Sequence, residues 1–215
     1  MKVNLEILSS AYLLAKENVE DLNTKELVPQ MIMRRRLTQA SKLVIEVISK
    51  LVLNGNERVI CGSSFGELPT TASILDALHQ KEPISPTDFQ NSVYNTAVSY
   101  FSILNKNQSE MLTISSGDET SLKVLKAGAL KALDGDELVL VCFETLNIEN
   151  IAQVNKCIEY LESAVALKVR VTQDKPNMCI STSSYSQGIP ISQSHMFYVA
   201  EKSQTITNPI LEIEL

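Results

Sequence analysis

The segment from residue 111 to residue 143 constrains the fold most, because its apolar pattern changes period twice. A β-prone run, Met111 to Ser115, ends at the turn sequence SSGDET, and a helical pattern follows from Thr120 to Leu133. A second apolar strand, Glu137 to Phe143, comes after a Gly-Asp pair. Strands that alternate with helices in this way favour a parallel or mixed sheet covered by helices.

Strands and helices alternate along most of the chain. Further strands are predicted at Val3 to Leu14, Arg58 to Gly62, Val165 to Thr172, Met196 to Ala200 and Ile210 to Leu215. Helices are predicted from the capping residue Thr38 to Leu51, near Thr71 to Gln80, from Ser85 to about Leu104, and at Asn150 to Glu162. Residues 175–194 are predicted to form an exposed loop. This order predicts an α/β fold in which one domain spans residues 1–215.

Composition and charge narrow the classes of function. The chain has 215 residues and a net charge of −6, which argues against nucleic acid or an anionic membrane as a main partner. Its apolar runs are shorter than the roughly 20 residues that span a bilayer, and its N-terminus does not resemble a secretory signal. Four cysteines without a CxxC pair indicate reduced thiols and no structural zinc. We expect a cytoplasmic protein that needs no metal and no organic cofactor.

The sequence Gly62-Ser63-Ser64-Phe65-Gly66 matches the G-x-S-x-G nucleophile elbow of serine hydrolases. A predicted strand precedes it and a predicted helix follows it, as the elbow requires. In this interpretation Ser64 attacks an ester, His195 acts as the base, and Asp136 or Asp174 orients the imidazole. Glycines at a strand–helix turn also have a purely conformational use. A small serine esterase is therefore one alternative.

Other reactive or charged residues have simple structural interpretations. The run Arg34-Arg35-Arg36 could hold a phosphate or the acidic helix of a carrier protein, or form a solvated helix entry. Cys61 precedes a turn and is the best placed thiol for a nucleophile, whereas Cys142 in VLVCF is predicted to lie in the core. His79 ends a predicted helix and is expected to be exposed.

Five segments resemble, in order, the N-terminal half of a β-ketoacyl synthase. They are RRRLTQASKLVIEVI, RVICGSSFGELPTT, ISPTDFQNSVYNTAVSYFSI, LTISSGDETSLKVLKAGALKAL and DELVLVCFE. More closely, the chain resembles the short β-ketoacyl synthase N-terminal-domain-like proteins of the chain length factor type, which are associated with aryl polyene biosynthesis. The resemblance is clearest over residues 34–145, and it implies a thiolase-like half-fold with a mixed sheet covered by helices.

The resemblance also bears on the reactive group. In a condensing synthase, the strand–turn–helix element carries a cysteine that holds the acyl chain as a thioester. The resemblance places Asp118 at or beside that cysteine, and a carboxylate has no sulfur for such a bond. The two histidines that assist malonyl decarboxylation belong to the second half of a synthase, and His195 matches neither histidine motif. The resemblance therefore implies a chain that is not a condensing enzyme on its own.

The acidic residues of this turn also have a structural interpretation. Asp118 and Glu119 complement the positive end of the helix dipole, an effect worth roughly 0.3–1 kcal/mol each. Ser116 is expected to cap the helix, with Glu119 closing a capping box. The helix itself is broadly apolar and Gly128 permits close approach, so we expect it to need cover from another chain.

The resemblance further implies a partner surface near residues 85–104 and the turn before the 120–133 helix. The interface or acyl-tunnel candidates are Phe89, Asn91, Tyr94, Asn95, Tyr100, Phe101, Ser116, Gly117, Glu119 and Thr120. Aromatic residues flanked by amides suit an interface, although the same aromatics could fill the chain's own core. We predict a noncatalytic partner that pairs with an active ketosynthase, shapes its acyl tunnel and meets an acyl carrier protein through that complex. A homodimeric acyl-binding scaffold is the remaining alternative.

Overall fold

Strands and helices alternate in the computed structural model, which describes residues 1–148, 158–181 and 184–215. In this part of the chain the strands are β1 Lys2–Ala15, β2 Arg58–Gly62, β3 Met111–Ile114, β4 Leu138–Thr145, β5 Glu162–Thr172, β6 Met178–Cys179 and β7 Ile210–Glu214. The helices are α1 Thr24–Leu27, α2 Met31–Arg34, α3 Gln39–Ser49, α4 Leu68–Gln80, α5 Pro86–Asn91, α6 Thr96–Asn105, α7 Thr120–Lys131 and α8 Ile191–Ser203. Short 3₁₀ turns at Gly117–Glu119 and Ala132–Asp134 flank α7.

The described strands form one seven-stranded sheet in the order β3-β2-β4-β5-β1-β7-β6. β2 pairs in parallel with β3 and β4, whereas β5 runs antiparallel to β4 and to β1. A register shift between Ile7 and Ser9 interrupts the long pairing of β1 with β5. The predicted mixed sheet is therefore confirmed.

β4 divides the interior into two hydrophobic cores. Every residue of this strand is buried. Leu140 and Cys142 point into the core under α7 and α8, and Val141 and Phe143 point into the core under α3 and α6. Because successive side chains of a strand face opposite sides, a strand covered on both faces has a continuous apolar sequence.

Two glycines allow α7 to lie close against the sheet. A Cβ atom added at Gly128 would lie 2.7 Å from a methyl carbon of Leu140, and one added at Gly62 would lie 2.6 Å from a methyl carbon of Val124. Carbon atoms at these distances overlap, so neither position accepts a side chain without movement of its neighbours. The close approach predicted for Gly128 is confirmed.

The chain itself covers the side of α7 that was expected to need another protein. Val124 and Leu125 of α7 share a buried core with Phe197 of α8. Leu130 near the end of α7 and Leu133 in the 3₁₀ turn that follows remain 58% and 46% exposed. The expectation that α7 requires a partner chain is therefore wrong, because α8 supplies most of its cover.

The sequence prediction was also wrong in the C-terminal region. Residues 196–200, predicted as a strand, lie inside α8, and the loop predicted at residues 175–194 contains β6 and the first turn of α8. Eight residues of α8 are buried, so its sequence lacks the polar stripe that marks an amphipathic helix. The helix predicted at residues 150–162 falls mainly outside the described residues, and Glu162 begins β5.

The predicted helix starts at Thr38 and Ser85 are confirmed. The Ser41 amide donates to the Thr38 hydroxyl at 3.0 Å, and the Asp88 amide donates to the Ser85 hydroxyl at 3.3 Å. The helix predicted from Ser85 to Leu104 is, however, divided into α5 and α6, which are separated by residues 92–95.

We expect Gly128→Ala to lower the free energy of unfolding by about 1–3 kcal/mol, because the added methyl group overlaps the Leu140 side chain. Chemical denaturation followed by circular dichroism measures this change. The double variant Gly128→Ala/Leu140→Val should lose less than the sum of the two single variants, since the shorter side chain makes room for the methyl group. Strictly additive losses would contradict this account of the packing.

Candidate functional site

Asp118 lies on the turn that joins β3 to α7. This turn contains the 3₁₀ turn Gly117–Glu119, and α7 begins at Thr120. Gly117 has a φ of +54°, a left-handed conformation that glycine adopts without strain. Asp118 and Glu119 are both exposed, so the strand–turn–helix element presents carboxylates to solvent.

The hydrogen bonds at the start of α7 differ from the predicted capping box. The Thr120 hydroxyl accepts from the Ser116 amide at 3.0 Å and donates to the Gly117 carbonyl at 2.7 Å. Glu119 instead forms an ion pair with Lys123 at 3.3 Å. The prediction that Ser116 and Glu119 form a capping box is wrong, because an extra 3₁₀ turn precedes the helix and the buried Thr120 holds it.

A buried carboxylate that the sequence analysis did not single out holds the neighbouring turn. Glu144, near the end of β4, is fully buried and accepts four hydrogen bonds. The donors are the Ser63 hydroxyl at 2.9 Å, the Ser64 amide at 2.6 Å, the Phe65 amide at 3.2 Å and the Ser192 hydroxyl at 2.8 Å. The carboxylate thereby joins β4, the turn after β2 and the first turn of α8.

The sequence does contain a signal for Glu144. An acidic residue that directly continues a buried apolar strand must find hydrogen-bond donors, because a buried carboxylate without them is very costly. Burial raises the pKa of Glu144 to about 7 and outweighs the hydrogen bonds that favour its charged form. The amides of Ser64 and Phe65 therefore bind the chain's own side chain and are not directed at a substrate oxyanion.

The structure does not assemble the serine hydrolase triad. Ser64 follows β2, at the carboxyl end of the parallel strands, whereas Asp136 precedes β4 at the opposite end and lies 3.4 Å from Arg58. Asp174 follows β5, which runs antiparallel to β4, and so lies at that opposite end as well. Within the described part of the chain, Nδ1 of His195 has no hydrogen-bond partner. The predicted triad of Ser64, His195 and either aspartate is therefore wrong.

Asp118 lies between two cavities. One, of about 380 Å³, is bordered by the first turns of α7, by α8 and by the end of β7, and His195 is part of its wall. The other, of about 90 Å³, lies beside Phe65 and Ser192. Asp118 and Ile191 line both cavities, so this carboxylate marks the boundary between them.

The candidate residues of α5, of α6 and of residues 92–95 between them divide into a buried and an exposed group. Asn91, Asn95 and Tyr100 line a cavity of about 320 Å³ together with Arg36. In its wall the Tyr100 hydroxyl donates to the side-chain oxygen of Asn91 at 3.2 Å, and both residues are buried.

The aromatic candidates are divided in the same way. Phe89 and Tyr94 are 70% and 44% exposed, so both belong to the surface. Phe101 is buried against α3 in the chain's own core, as the alternative interpretation of these aromatics states.

Cys61, Cys142 and Arg34 have structural roles, whereas Cys179 and the other two arginines of the basic run are exposed. Burial raises the pKa of the Cys61 and Cys142 thiols far above the usual range, so neither is poised as a nucleophile. Cys179 is an exposed free thiol, and Cys157 lies outside the described residues. Arg34 donates to the carbonyl oxygens of Val28 at 2.7 Å and Pro29 at 2.6 Å, whereas the other two arginines of the run are exposed. His79 is exposed at the end of α4, as predicted.

None of the helices in the described ranges is long and apolar enough to cross a bilayer. The His, Cys, Asp and Glu side chains of the same ranges form no group of three that is placed to share a metal ion.

Comparison with known families and structures identifies this architecture. Residues 10–209 match the sequence model of the family described as beta-ketoacyl synthase, N-terminal domain. This match spans more than half of the chain, so the protein belongs to that family. Comparison with curated protein sequences gives no match.

Solved structures show the same fold. A chain in the complex of the ketosynthase ApeO with its chain length factor ApeC from Xenorhabdus doucetiae has a TM-score of 0.64 and 21% identity, over 91% of this chain and 90% of that chain. A chain of the ishigamide ketosynthase/chain length factor has a TM-score of 0.63 and 9% identity, over 80% of this chain and 63% of that chain.

A third structure, AntDE:AntF, contains a type II PKS acyl-carrier protein in complex with its ketosynthase bound to the hexaketide. It has a TM-score of 0.60 and 13% identity, over 80% of this chain and 64% of that chain. The present chain thus spans less than two thirds of the matched chains in the ishigamide and AntDE:AntF structures. These similarities confirm the predicted thiolase-like ketosynthase fold.

We expect Glu144→Ala to lower the free energy of unfolding by roughly 3 kcal/mol, because four donors lose their acceptor. Glu144→Gln should lose less, since it keeps the side-chain volume and one carbonyl acceptor. Denaturant unfolding measures both losses, and amide hydrogen exchange should accelerate first at Ser64 and Phe65. Unchanged stability of the alanine variant would show that the turn does not depend on this carboxylate.

We expect the stability of the chain to fall as the pH rises from about 5 to 8. Burial raises the pKa of Glu67 from 4.5 to about 7, opposed only in part by the hydrogen bond from Thr38. Between these values the folded chain holds a proton that the unfolded chain has lost. This stabilisation is fully present below about pH 4.5 and is lost as the pH rises through 7.

The Glu67 shift corresponds to about 3 kcal/mol. Glu67→Gln keeps the neutral hydrogen-bonding group, so the pH dependence of its unfolding free energy should be shallower than that of the wild-type chain by about this amount between pH 5 and 8. Parallel denaturation curves across this pH range make the comparison. Identical slopes for the two proteins would contradict the raised pKa.

Proposed function

We propose that this chain is a noncatalytic ketosynthase subunit of the chain length factor type, which pairs with an active β-ketoacyl synthase and shapes its acyl tunnel. The observation that supports the proposal most directly is an exposed apolar surface beside the turn after β2. This surface adjoins the carboxyl end of the parallel strands, where the turn that carries Asp118 follows β3.

The surface is formed by the turn between β2 and α4, by α4, by α5 and by residues 92–95 that follow α5, and we call it the α4–α5 surface. Its exposed apolar side chains are Phe65, Leu75, Leu78, Phe89, Val93 and Tyr94, which are between 43% and 70% exposed. None of the residues of α4, all of which are described, is buried. An apolar surface with so little cover from its own chain is typical of a protein–protein interface.

Local contacts connect this surface to the sheet edge. The ring of Tyr94 packs over Gly66, where a Cβ atom would lie 3.0 Å from the ring, and its hydroxyl donates to the Ser64 carbonyl at 3.2 Å. Ser115, directly after β3, donates to the same carbonyl at 3.4 Å. Among the described strands β3 pairs with β2 on one side and forms an edge on the other, and an open edge can accept a strand from a partner.

The chemistry of the turn supports a role without covalent catalysis by this chain. The family resemblance places Asp118 at or beside the position of the acyl-accepting cysteine, and an aspartate cannot form a thioester. The buried thiols of Cys61 and Cys142 are held in their neutral form by burial. The acyl chain would therefore be attached to the partner, while this subunit contributes surface around the tunnel.

The similar structures suggest the nature of the partner. The titles of two of them name a ketosynthase together with a chain length factor, and the third contains an acyl-carrier protein in complex with its ketosynthase. We infer that an active ketosynthase covers the α4–α5 surface and that an acyl carrier protein delivers the growing chain to the complex. The exposed Asn95 would provide a polar group at the rim of this contact, while the buried Asn91 and Tyr100 line the cavity beside it.

We expect the chain to form a one-to-one complex with an active β-ketoacyl synthase from the same organism, measured by size-exclusion chromatography with light scattering. Phe89→Asp and Val93→Asp should each raise the dissociation constant at least about tenfold, because an interface core excludes charge. Leu130→Asp is the matched control: Leu130 is similarly exposed, at 58%, but lies on α7, and its substitution should leave pairing unchanged.

Two further results decide between the alternatives. Intact-mass spectrometry after incubation of the complex with an acyl thioester should find the acyl group on the ketosynthase, and an adduct on this chain would overturn the noncatalytic role. A self-associated dimer that Phe89→Asp dissociates, with no affinity for any ketosynthase, would favour the homodimeric scaffold instead.

A further inference from the structure

The exposed Phe65 is tied through its backbone to a group in the interior. Its side chain is 43% exposed and belongs to the α4–α5 surface, whereas its amide donates at 3.2 Å to the carboxylate of Glu144. Glu144 is fully buried and lies near the end of β4. The position of an aromatic side chain on the pairing surface therefore depends on a residue that a partner cannot reach.

Glu144 is the common acceptor for the whole turn. One of its oxygens accepts from the Ser64 amide at 2.6 Å, and the other accepts from the Phe65 amide at 3.2 Å and from the Ser63 hydroxyl at 2.9 Å. The Gly66 amide donates in turn to the Ser63 hydroxyl at 2.7 Å. The amides of three consecutive residues thus depend on one carboxylate, two of them directly and the third through Ser63.

The turn also fixes Tyr94, a second aromatic residue of the α4–α5 surface. The Ser64 carbonyl accepts from the Tyr94 hydroxyl at 3.2 Å, and a Cβ atom at Gly66 would lie 3.0 Å from the Tyr94 ring. Gly66 has a φ of +59°, so the turn lies against the ring in a left-handed conformation that suits glycine. The turn that Glu144 holds therefore positions both aromatic rings.

The same carboxylate also binds α8. The hydroxyl of Ser192, in the first turn of this helix, donates to Glu144 at 2.8 Å, and Ser192 is only 2% exposed. The acceptor is the oxygen that also binds the Ser64 amide. In a buried network, hydrogen bonds to one acceptor affect one another. A change at Ser192 therefore reaches the turn and the α4–α5 surface, although α8 contributes no residue to that surface.

We propose that Glu144 is a positioning residue for pairing with a ketosynthase. Before the partner arrives, it holds Phe65 and Tyr94 in the arrangement that the partner contacts, and through Ser192 it makes that arrangement depend on α8. An interface whose anchoring side chains are already ordered loses less freedom on binding and so binds more tightly. This inference rests on the proposed pairing, and it adds a buried residue outside the contact that sets the affinity.

A double-mutant cycle tests this inference on the dissociation constant of the full chain with an active β-ketoacyl synthase from the same organism. Glu144→Gln keeps the side-chain volume but replaces one acceptor oxygen with a donor, so the Ser64 or the Phe65 amide loses its partner. This variant and Phe65→Ala should each raise the dissociation constant about tenfold. Because the substitution at Glu144 acts largely through the Phe65 ring, the double variant should bind only about twofold more weakly than Phe65→Ala.

Two further variants separate positioning from folding. Ser192→Ala removes the donor from α8 and should weaken pairing about threefold, the effect of one hydrogen bond. Gly128→Ala is the matched control, because it also destabilises the chain but its added methyl group meets Leu140 under α7. Its affinity for the synthase should equal that of the wild-type chain under conditions where circular dichroism shows every variant to be folded.

Several results would overturn the inference while the proposed pairing stands. These are unchanged affinity of Glu144→Gln, a double variant that is about a hundredfold weaker because the two effects multiply, and an equal loss of affinity in Gly128→Ala. Unchanged affinity of Ser192→Ala would overturn the dependence on α8. If the wild-type chain itself binds no active synthase, the proposed pairing fails, and this inference fails with it.

Discussion

The burial of β4 on both faces is the constraint on which the rest of the structure depends. All of its residues are enclosed, so helices must cover each side of the sheet. α7 meets this demand on one face by close contact at Gly62 and Gly128, and that contact determines where the Asp118 turn leaves the sheet. Glu144, near the end of β4, then ties the turn after β2 to α8.

The position of α8 decides which surface is left for a partner. Phe197 and its neighbours in α8 complete the core over α7, so that the chain closes this layer by itself. The uncovered apolar side chains lie instead on α4, α5 and the adjoining turn. In the proposed pairing the ketosynthase would contact the α4–α5 surface, and the cleft beside His195 would remain separate from that contact.

Most of the correct predictions came from the family resemblance. The wrong predictions have specific physical causes. The strands β2, β3 and β4 were predicted because their apolar runs are short and each lies next to a glycine-containing turn. The residues around Met196 were assigned to a strand because a helix buried on nearly all sides loses its helical apolar period. The Ser116 capping box failed because a 3₁₀ turn shifted the start of α7 to Thr120.

By itself the sequence determined the α/β alternation, the mixed sheet and the close approach at Gly128. These features depend on local pattern or on residue chemistry, which a sequence states directly. Only the tertiary structure decided that α8 covers α7, that Glu144 binds the Ser64 and Phe65 amides, and that His195 lines a cleft. Each of these is a contact between segments far apart in the chain, and such contacts follow from packing, which local sequence does not specify.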